Sequence, residues 1–163
     1  MYSDTITSRL ALRGLPNRSD DAFRRMIPWT RIAFAVGGVQ TCIATMTASA
    51  DMLWTMAPIA ALAVVMPHHL IEYVYNFAIR HITKTEPLPR NGAPVRFAFG
   101  MMAVMLALTA LAFDAGVFWL GFLLGTSIVM VSATVCLTHF CLPAAIYGWL
   151  FGDRSQVRCA MGV

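Results

Sequence analysis

The chain has 163 residues, of which 58% are hydrophobic and only 12% are charged, with a formal net charge of +4 at pH 7. Soluble globular domains are about half apolar and about a quarter charged, so this composition excludes a soluble enzyme domain. Long uncharged apolar runs also exclude a disordered chain. We therefore expect an all-α, polytopic membrane protein.

Four stretches are apolar enough to form helices that cross a hydrocarbon core of about 30 Å, which takes roughly 20 residues each. Proline and aromatic or basic residues precede the first and third stretches, as is common where a helix enters a membrane. The sequence therefore predicts a four-helix membrane bundle. The expected spans are approximately residues 32–50, 52–70, 97–113 and 117–137.

The 12 Lys and Arg residues are distributed very unevenly around these stretches. The two tight turns, around Asp51 and around Asp114, each carry an acid and no base. Because positively charged loops are retained in the cytoplasm, both termini and the central loop are predicted to be cytoplasmic. This pattern also accounts for the basic charge, so we expect no binding to nucleic acid. The bases are Arg9, Arg13, Arg18, Arg24, Arg25, Arg31, Arg80, Lys84, Arg90, Arg96, Arg154 and Arg158.

The same features divide the chain into three parts: a basic cytoplasmic arm over residues 1–27, a membrane domain over 28–151 and a cytoplasmic tail over 152–163. In the arm, Arg9 and Arg13 flank apolar residues at helical spacing, which predicts either an amphipathic turn on anionic lipid headgroups or a frayed tail. Within the membrane domain, a cytoplasmic loop is expected over about 71–96. Helical spacing predicts that its first part continues the second span or bends onto the membrane surface.

One face of the predicted fourth span carries small and polar residues. On a helical wheel this stripe contains Gly121, Gly125, Ser132, Cys136 and His139. Gly121 and Gly125 form a GxxxG pair, which allows close helix packing within the bundle or at a dimer seam, and four helices favour the former. In the first span, Gln40 is expected to hydrogen-bond to a neighbouring helix.

Side chains suited to metal binding are predicted to share one layer near the cytoplasmic boundary. Cys and His side chains suit Zn(II), Cu or haem iron. Glu72 would be a supporting carboxylate, in an i,i+4 pair with His68. The alternative is that they hydrogen-bond to loop backbone or water and only close the bundle. The candidate ligands are His68, His69, Cys136, His139 and Cys141.

Two segments carry a resemblance to a known family: PLPRNGAPVRFAFG over residues 87–100 and THFCLPAAIY over 138–147. They resemble an uncharacterised bacterial family of small four-helix inner-membrane proteins, a domain of unknown function. The resemblance implies topology rather than activity. For a site common to the family it points to Cys141 and the central loop, whereas the helical wheel points to Cys136 and His139. The matching positions are Pro67, His68, Pro94, Arg96, Phe97, Cys141, Pro143 and Tyr147, and the order Pro-His departs from the family's His-Pro.

These observations predict a non-catalytic scaffold or accessory subunit in the bacterial inner membrane, without a cofactor. Its expected partners are membrane lipid and other membrane subunits, or further copies of the chain. The predicted docking residues are the bases of the central loop, Arg80, Lys84, Arg90 and Arg96. The alternative function is a membrane redox, metal-handling or haem-handling protein that uses the Cys and His residues.

Overall fold

The computed structural model describes residues 4–15 and 25–152, which form helices and loops without a strand. The predicted all-α fold is confirmed over these residues. A 3-10 turn, Ile27–Arg31, leads directly into α2. The helices are α1 (Asp4–Leu12), α2 (Ile32–Met46), α3 (Ala50–Val65), α4 (Leu70–Thr83, with a π turn at Tyr75–Ile79), α5 (Ala93–Asp114), α6 (Phe118–Thr138) and α7 (Leu142–Phe151).

Among the described residues, two helices are long and apolar enough to cross a membrane singly: α5 with 22 residues and α6 with 21. The helices α3 and α4 meet the same standard only as a pair, which is bent by 72° at the break between them. The helix α2 has 15 residues and is too short alone. By length and composition, the described helices therefore indicate a membrane protein with two or three spans, fewer than the four that the sequence predicts.

The break after α3 explains why the predicted span 52–70 is interrupted. Met66 precedes Pro67, and a residue before proline is driven out of helical geometry, so Met66 is extended with ψ 149°. A new helix then starts at His69, whose backbone N–H donates to the Glu72 carboxylate at 2.7 Å. This capping interaction fixes the start of α4 and turns the chain away from the axis of α3.

The other predicted spans differ from the structure at their ends. The first ends at Met46, because the chain turns through Ala48, which has a left-handed φ of 48°. The third begins earlier, at Ala93, with Pro94 in its first turn, where a missing N–H removes no hydrogen bond. Boundaries of this kind depend on turn geometry, which hydropathy does not report.

The helices α2 and α3 follow each other in the chain but pack mainly on other helices. The helix α3 lies along α5, α2 lies along α6, and α5 lies along α6, whereas α2 and α3 contact each other far less. At the end where the tight turns lie, the Trp54 indole N–H donates to the Asp114 carboxylate at 2.8 Å. This bond brings the start of α3 to the turn between α5 and α6, so the two acidic turns lie at the same end.

Glycines on α6 allow the close contacts between these helices. A Cβ added at Gly125 would lie 2.8 Å from the Thr45 methyl group on α2, and one added at Gly121 would lie 2.6 Å from the Phe113 ring on α5. Real Cβ atoms do not approach so closely, so glycine is required at both positions. The small-residue stripe of α6 therefore packs against helices of the same chain.

Large apolar side chains cover the outside of these helices. Examples on four different helices are Val39, Leu62, Leu111 and Leu123, all more than half exposed. A protein in water rarely exposes so much contiguous apolar surface. The exposed faces therefore fit a hydrocarbon surrounding, in agreement with the length and hydropathy of α5 and α6.

We expect Gly125→Ala to destabilise the bundle by about 1–3 kcal/mol, because the new methyl group overpacks the contact with Thr45. The matched control is Gly37→Ala, since a Cβ there meets nothing within 4 Å. Alanine favours a helix over glycine, so the control variant should be unchanged or slightly more stable. Thermal unfolding in detergent measures both, and an equal loss in the two variants would contradict the packing argument.

Candidate functional site

Two arginines from the N-terminal part of the chain cap the C-terminal end of α6. The Arg9 guanidinium donates to the Thr138 carbonyl at 2.9 Å, and the Arg31 guanidinium donates to the Cys136 carbonyl. The last carbonyls of a helix lack backbone partners and carry partial negative charge, so guanidinium groups satisfy them both as donors and as cations. The break between α3 and α4 and the loop 84–92 lie at this same end of the molecule, which we call the loop end.

Arg13 is the most deeply buried base of the loop end, with only 4% of its surface exposed. One Nη donates to the Thr30 carbonyl at 2.9 Å, and the guanidinium lies over the Phe34 ring at 5.3 Å. Its Nε and other Nη have no partner among the described residues. Burial lowers the pKa of Arg13, and the nearby Cys141 and Glu72 oppose that change.

Glu72 connects the break to the loop before α5. Besides the His69 backbone N–H, its carboxylate accepts from the Asn91 side-chain amide at 2.7 Å. The Asn91 backbone N–H donates to the Pro67 carbonyl at 2.8 Å, which closes the loop onto the break. With 5% of its surface exposed, Glu72 thus acts through capping and loop closure.

His139 lies just after α6, in a left-handed conformation with φ 59°. Its ring is buried, and its Nδ1 has no partner among the described residues. Burial, together with the positive charges of Arg31, Arg13 and Arg9, lowers the pKa of His139 to about 4. The imidazole is therefore neutral at physiological pH.

The predicted metal ligands reach the loop end but do not form a donor set. Within residues 4–15 and 25–152, no three His, Cys, Asp or Glu side chains are placed to hold a metal ion. The expected helical pairs are corrected: His68 lies in the break, outside α4, so it forms no i,i+4 pair with Glu72, and His139 lies beyond the end of the helix that carries Cys136.

The individual candidate metal ligands differ in their contacts and burial. The His68 ring packs edge-on to Tyr73 with centroids 5.3 Å apart. Cys136 is half-buried near the end of α6, while Cys141 is 1% exposed at the N-cap of α7. Burial raises the pKa of the Cys141 thiol more than the nearby Arg13 lowers it, so this sulfur is protonated at neutral pH. A protonated thiol is a poor nucleophile.

The predicted docking bases differ in exposure. Lys84 and Arg90 are exposed, with Lys84 at the left-handed end of α4. Arg80 is half-buried and donates its Nε to His81 at 3.4 Å, and Arg96 is half-buried with a buried Nε. Lys84 and Arg90 are therefore the two of the four that are most accessible to a ligand or partner.

Gln40 lies on the exposed side of α2, next to the buried Thr41, whose hydroxyl donates to the Gly37 carbonyl at 2.8 Å. The sequence did not single out Arg31, and it treated Arg9 and Arg13 only as surface residues. The i,i+4 spacing of Arg9 and Arg13 was the available signal, but it does not reveal that Arg9 binds a carbonyl 129 residues away in α6 or that Arg13 binds the Thr30 carbonyl.

The fold and the loop end define a helical membrane protein with a basic, tightly capped end. The chain belongs to the family described as Domain of unknown function (DUF4395), whose model matches residues 28–151. The expected resemblance to a domain of unknown function is thus confirmed. Neither a curated protein nor a solved structure matches the chain significantly.

The low pKa of His139 predicts a specific dependence of stability on pH. The unfolded chain titrates His139 near 6.5 and the folded chain near 4, so between these values the unfolded state binds more protons. The free energy of unfolding should therefore fall as pH decreases from 6.5 to 4 and level off below 4. Asparagine tolerates the left-handed conformation, so His139→Asn should fold.

This pH dependence is measured by denaturant unfolding in detergent at pH 7.5 and at pH 5. His139→Asn should lose less stability over this interval than the wild type, because the titrating ring is absent. Using the difference between the two proteins cancels the contributions of other titrating groups. An identical pH dependence would show that His139 is not held neutral in the folded protein.

Proposed function

We propose that this protein is a four-helix scaffold or accessory subunit of the bacterial inner membrane, with both termini in the cytoplasm and without a catalytic centre of its own. In this proposal the loop end faces the cytoplasm and docks anionic lipid or a partner subunit through its exposed bases. The observation that carries the proposal is that the basic residues fall into two groups: Arg9, Arg13 and Arg31 bind backbone carbonyls of the same chain, whereas Lys84 and Arg90 are exposed.

The lengths of the shorter helices support four crossings. The 5-residue 3-10 turn and the 15 residues of α2 together extend about 32 Å, at rises of about 2.0 and 1.5 Å per residue. The 16 residues of α3 extend about 24 Å, and the extended backbone at the break adds to this. Both lengths approach the thickness of the hydrocarbon core.

The orientation is supported by where the charges lie. The acidic turns share one end of the bundle, as the bond from Trp54 to Asp114 indicates, and the connections at the other end carry the bases. Each base near an anionic cytoplasmic surface contributes roughly 1 kcal/mol of attraction. The positive-inside rule then predicts that the loop end is cytoplasmic.

The polar groups of the loop end favour a structural role over the alternative redox or metal-handling one. The carboxylate of Glu72 caps α4 and binds Asn91, and the bases around α6 cap carbonyls, so these groups hold chain segments together. A redox protein that used Cys141 as a nucleophile would need an accessible, ionised thiol, but this thiol is buried and burial raises its pKa.

Labelling of introduced cysteines tests the topology. In a variant without its four native cysteines, Ser49→Cys and Ala115→Cys should react with an impermeant maleimide in spheroplasts, because these positions lie in the acidic turns. Pro87→Cys, in the loop end, should react only after the membrane is permeabilised. The opposite pattern, or labelling of only one turn, would contradict four crossings with this orientation.

Docking is tested with the double variant Lys84→Glu, Arg90→Glu, because charge reversal replaces attraction to anionic groups with repulsion. We expect less anionic lipid in the purified protein, by mass spectrometry of extracted lipids, or loss of a cross-linked partner subunit. The charge-retaining control Lys84→Arg, Arg90→Lys should behave as the wild type. Lipid content and cross-links unchanged by charge reversal would refute docking through these bases.

A further inference from the structure

A cleft of about 180 Å³ separates α2 from α3. It exists because each of these helices packs on a different partner, α2 on α6 and α3 on α5. Gly37 on α2 contributes to its wall, and a Cβ at this position would meet no atom within 4 Å, so the space is open there. The volume is below the roughly 300–1,000 Å³ typical of pockets for drug-sized ligands, so it admits a single-ring group only.

Flat rings form the inner end of the cleft. The His69 imidazole stacks on Phe99 with centroids 5.0 Å apart and an interplanar angle of 24°. Phe99 in turn stacks on Phe34 with centroids 5.3 Å apart and an angle of 13°. All three side chains line the cleft. His69 and Phe34 cover the two faces of Phe99, and Arg13 lies over Phe34, so the stack leaves ring edges and the outer face of His69 for contact with a planar ligand.

His69 also supplies a hydrogen-bond donor. Its Nδ1 accepts the Ile71 backbone N–H at 3.3 Å, so this nitrogen carries no proton. The neutral ring therefore has its proton on Nε2, and this N–H remains available as a donor. Gln40, further along α2, adds an amide at the exposed margin of the same cleft, about 9 Å from Phe34 along the helix axis.

The cleft opens sideways, on the apolar outer surface of the helices. Ile59 and Leu70, which line it, are 38% and 40% exposed. Because the neighbouring exposed faces are also apolar, a ligand would enter from the hydrocarbon and not from water. A molecule with a long apolar tail would place the tail outside the cleft, in the membrane.

We propose that the cleft between α2 and α3 binds the ring of a lipid-soluble quinone, with a ring carbonyl accepting the His69 Nε2–H and the tail extending into the membrane. A quinone is flat, which suits the aromatic stack, and its carbonyls are acceptors, which suits the donors of His69 and Gln40. An acyl chain would use neither feature. This proposal concerns a membrane ligand and does not depend on docking through Lys84 and Arg90.

Binding is tested with full-length protein in lipid nanodiscs, using decylubiquinone as the probe and empty nanodiscs as the blank. We expect saturable binding above the blank. Gly37→Leu fills the cleft and should weaken binding about tenfold or more. Leucine also favours the helix, so folding should be retained. The matched control Ala35→Leu adds similar bulk on an exposed part of α2 outside the cleft and should bind as the wild type.

Two substitutions of His69 separate ligand binding from helix capping. Both substitutions remove the ring that stacks on Phe99. His69→Asn keeps an acceptor near the position of Nδ1 but removes the Nε2–H, so it should be the more stable of the two variants and should weaken binding about tenfold. His69→Gln places an amide N–H near the position of Nε2 but loses the cap, so it should retain most of the binding at lower stability. A structural role alone would make binding follow stability in both variants.

Three results would overturn the proposal. The first is no saturable binding above empty nanodiscs. The second is binding that neither Gly37→Leu nor His69→Asn weakens, since the quinone would then bind elsewhere. The third is equal competition by decylbenzene, which lacks carbonyl groups, because the cleft would then accept an apolar chain without using His69.

Discussion

The carbonyl groups at the C-terminal end of α6 are the constraint on which the loop end depends. A helix leaves its last carbonyls without backbone partners, and away from bulk water they need other donors. Arg9 and Arg31 meet this need from segments 129 and 105 residues away. Their positions bring α1 and the turn before α2 onto α6, and the charge they concentrate there helps to keep His139 neutral.

A second constraint follows from Pro67. The extended residue before it ends α3, so the chain needs a new cap, which His69 and Glu72 provide. Glu72 also holds Asn91, and in this way one carboxylate sets both the direction of α4 and the position of the loop that enters α5. The aromatic stack of the proposed quinone site depends on the same cap, because the cap orients the His69 ring.

Several features of the fold were predictable because they depend on local sequence. Runs of apolar residues predicted α5 and α6, and Pro94 marked the start of a helix. The break was only partly anticipated: helical spacing after residue 70 allowed a bend, but its angle of 72° depends on the Glu72 cap. Hydropathy predicted four crossings, but α2 is short and α3 joins α4 through the break, so length and composition indicate only two or three spans.

By itself, the sequence determined that the chain is helical and suited to a membrane, because hydropathy and helix length depend on composition along the chain. Tertiary structure alone decided which polar groups meet. The positive-inside pattern treats every arginine alike, yet Arg13 is buried while Arg90 is exposed. That difference arises from contacts between segments far apart in the chain, and no local pattern of charge or hydropathy contains them.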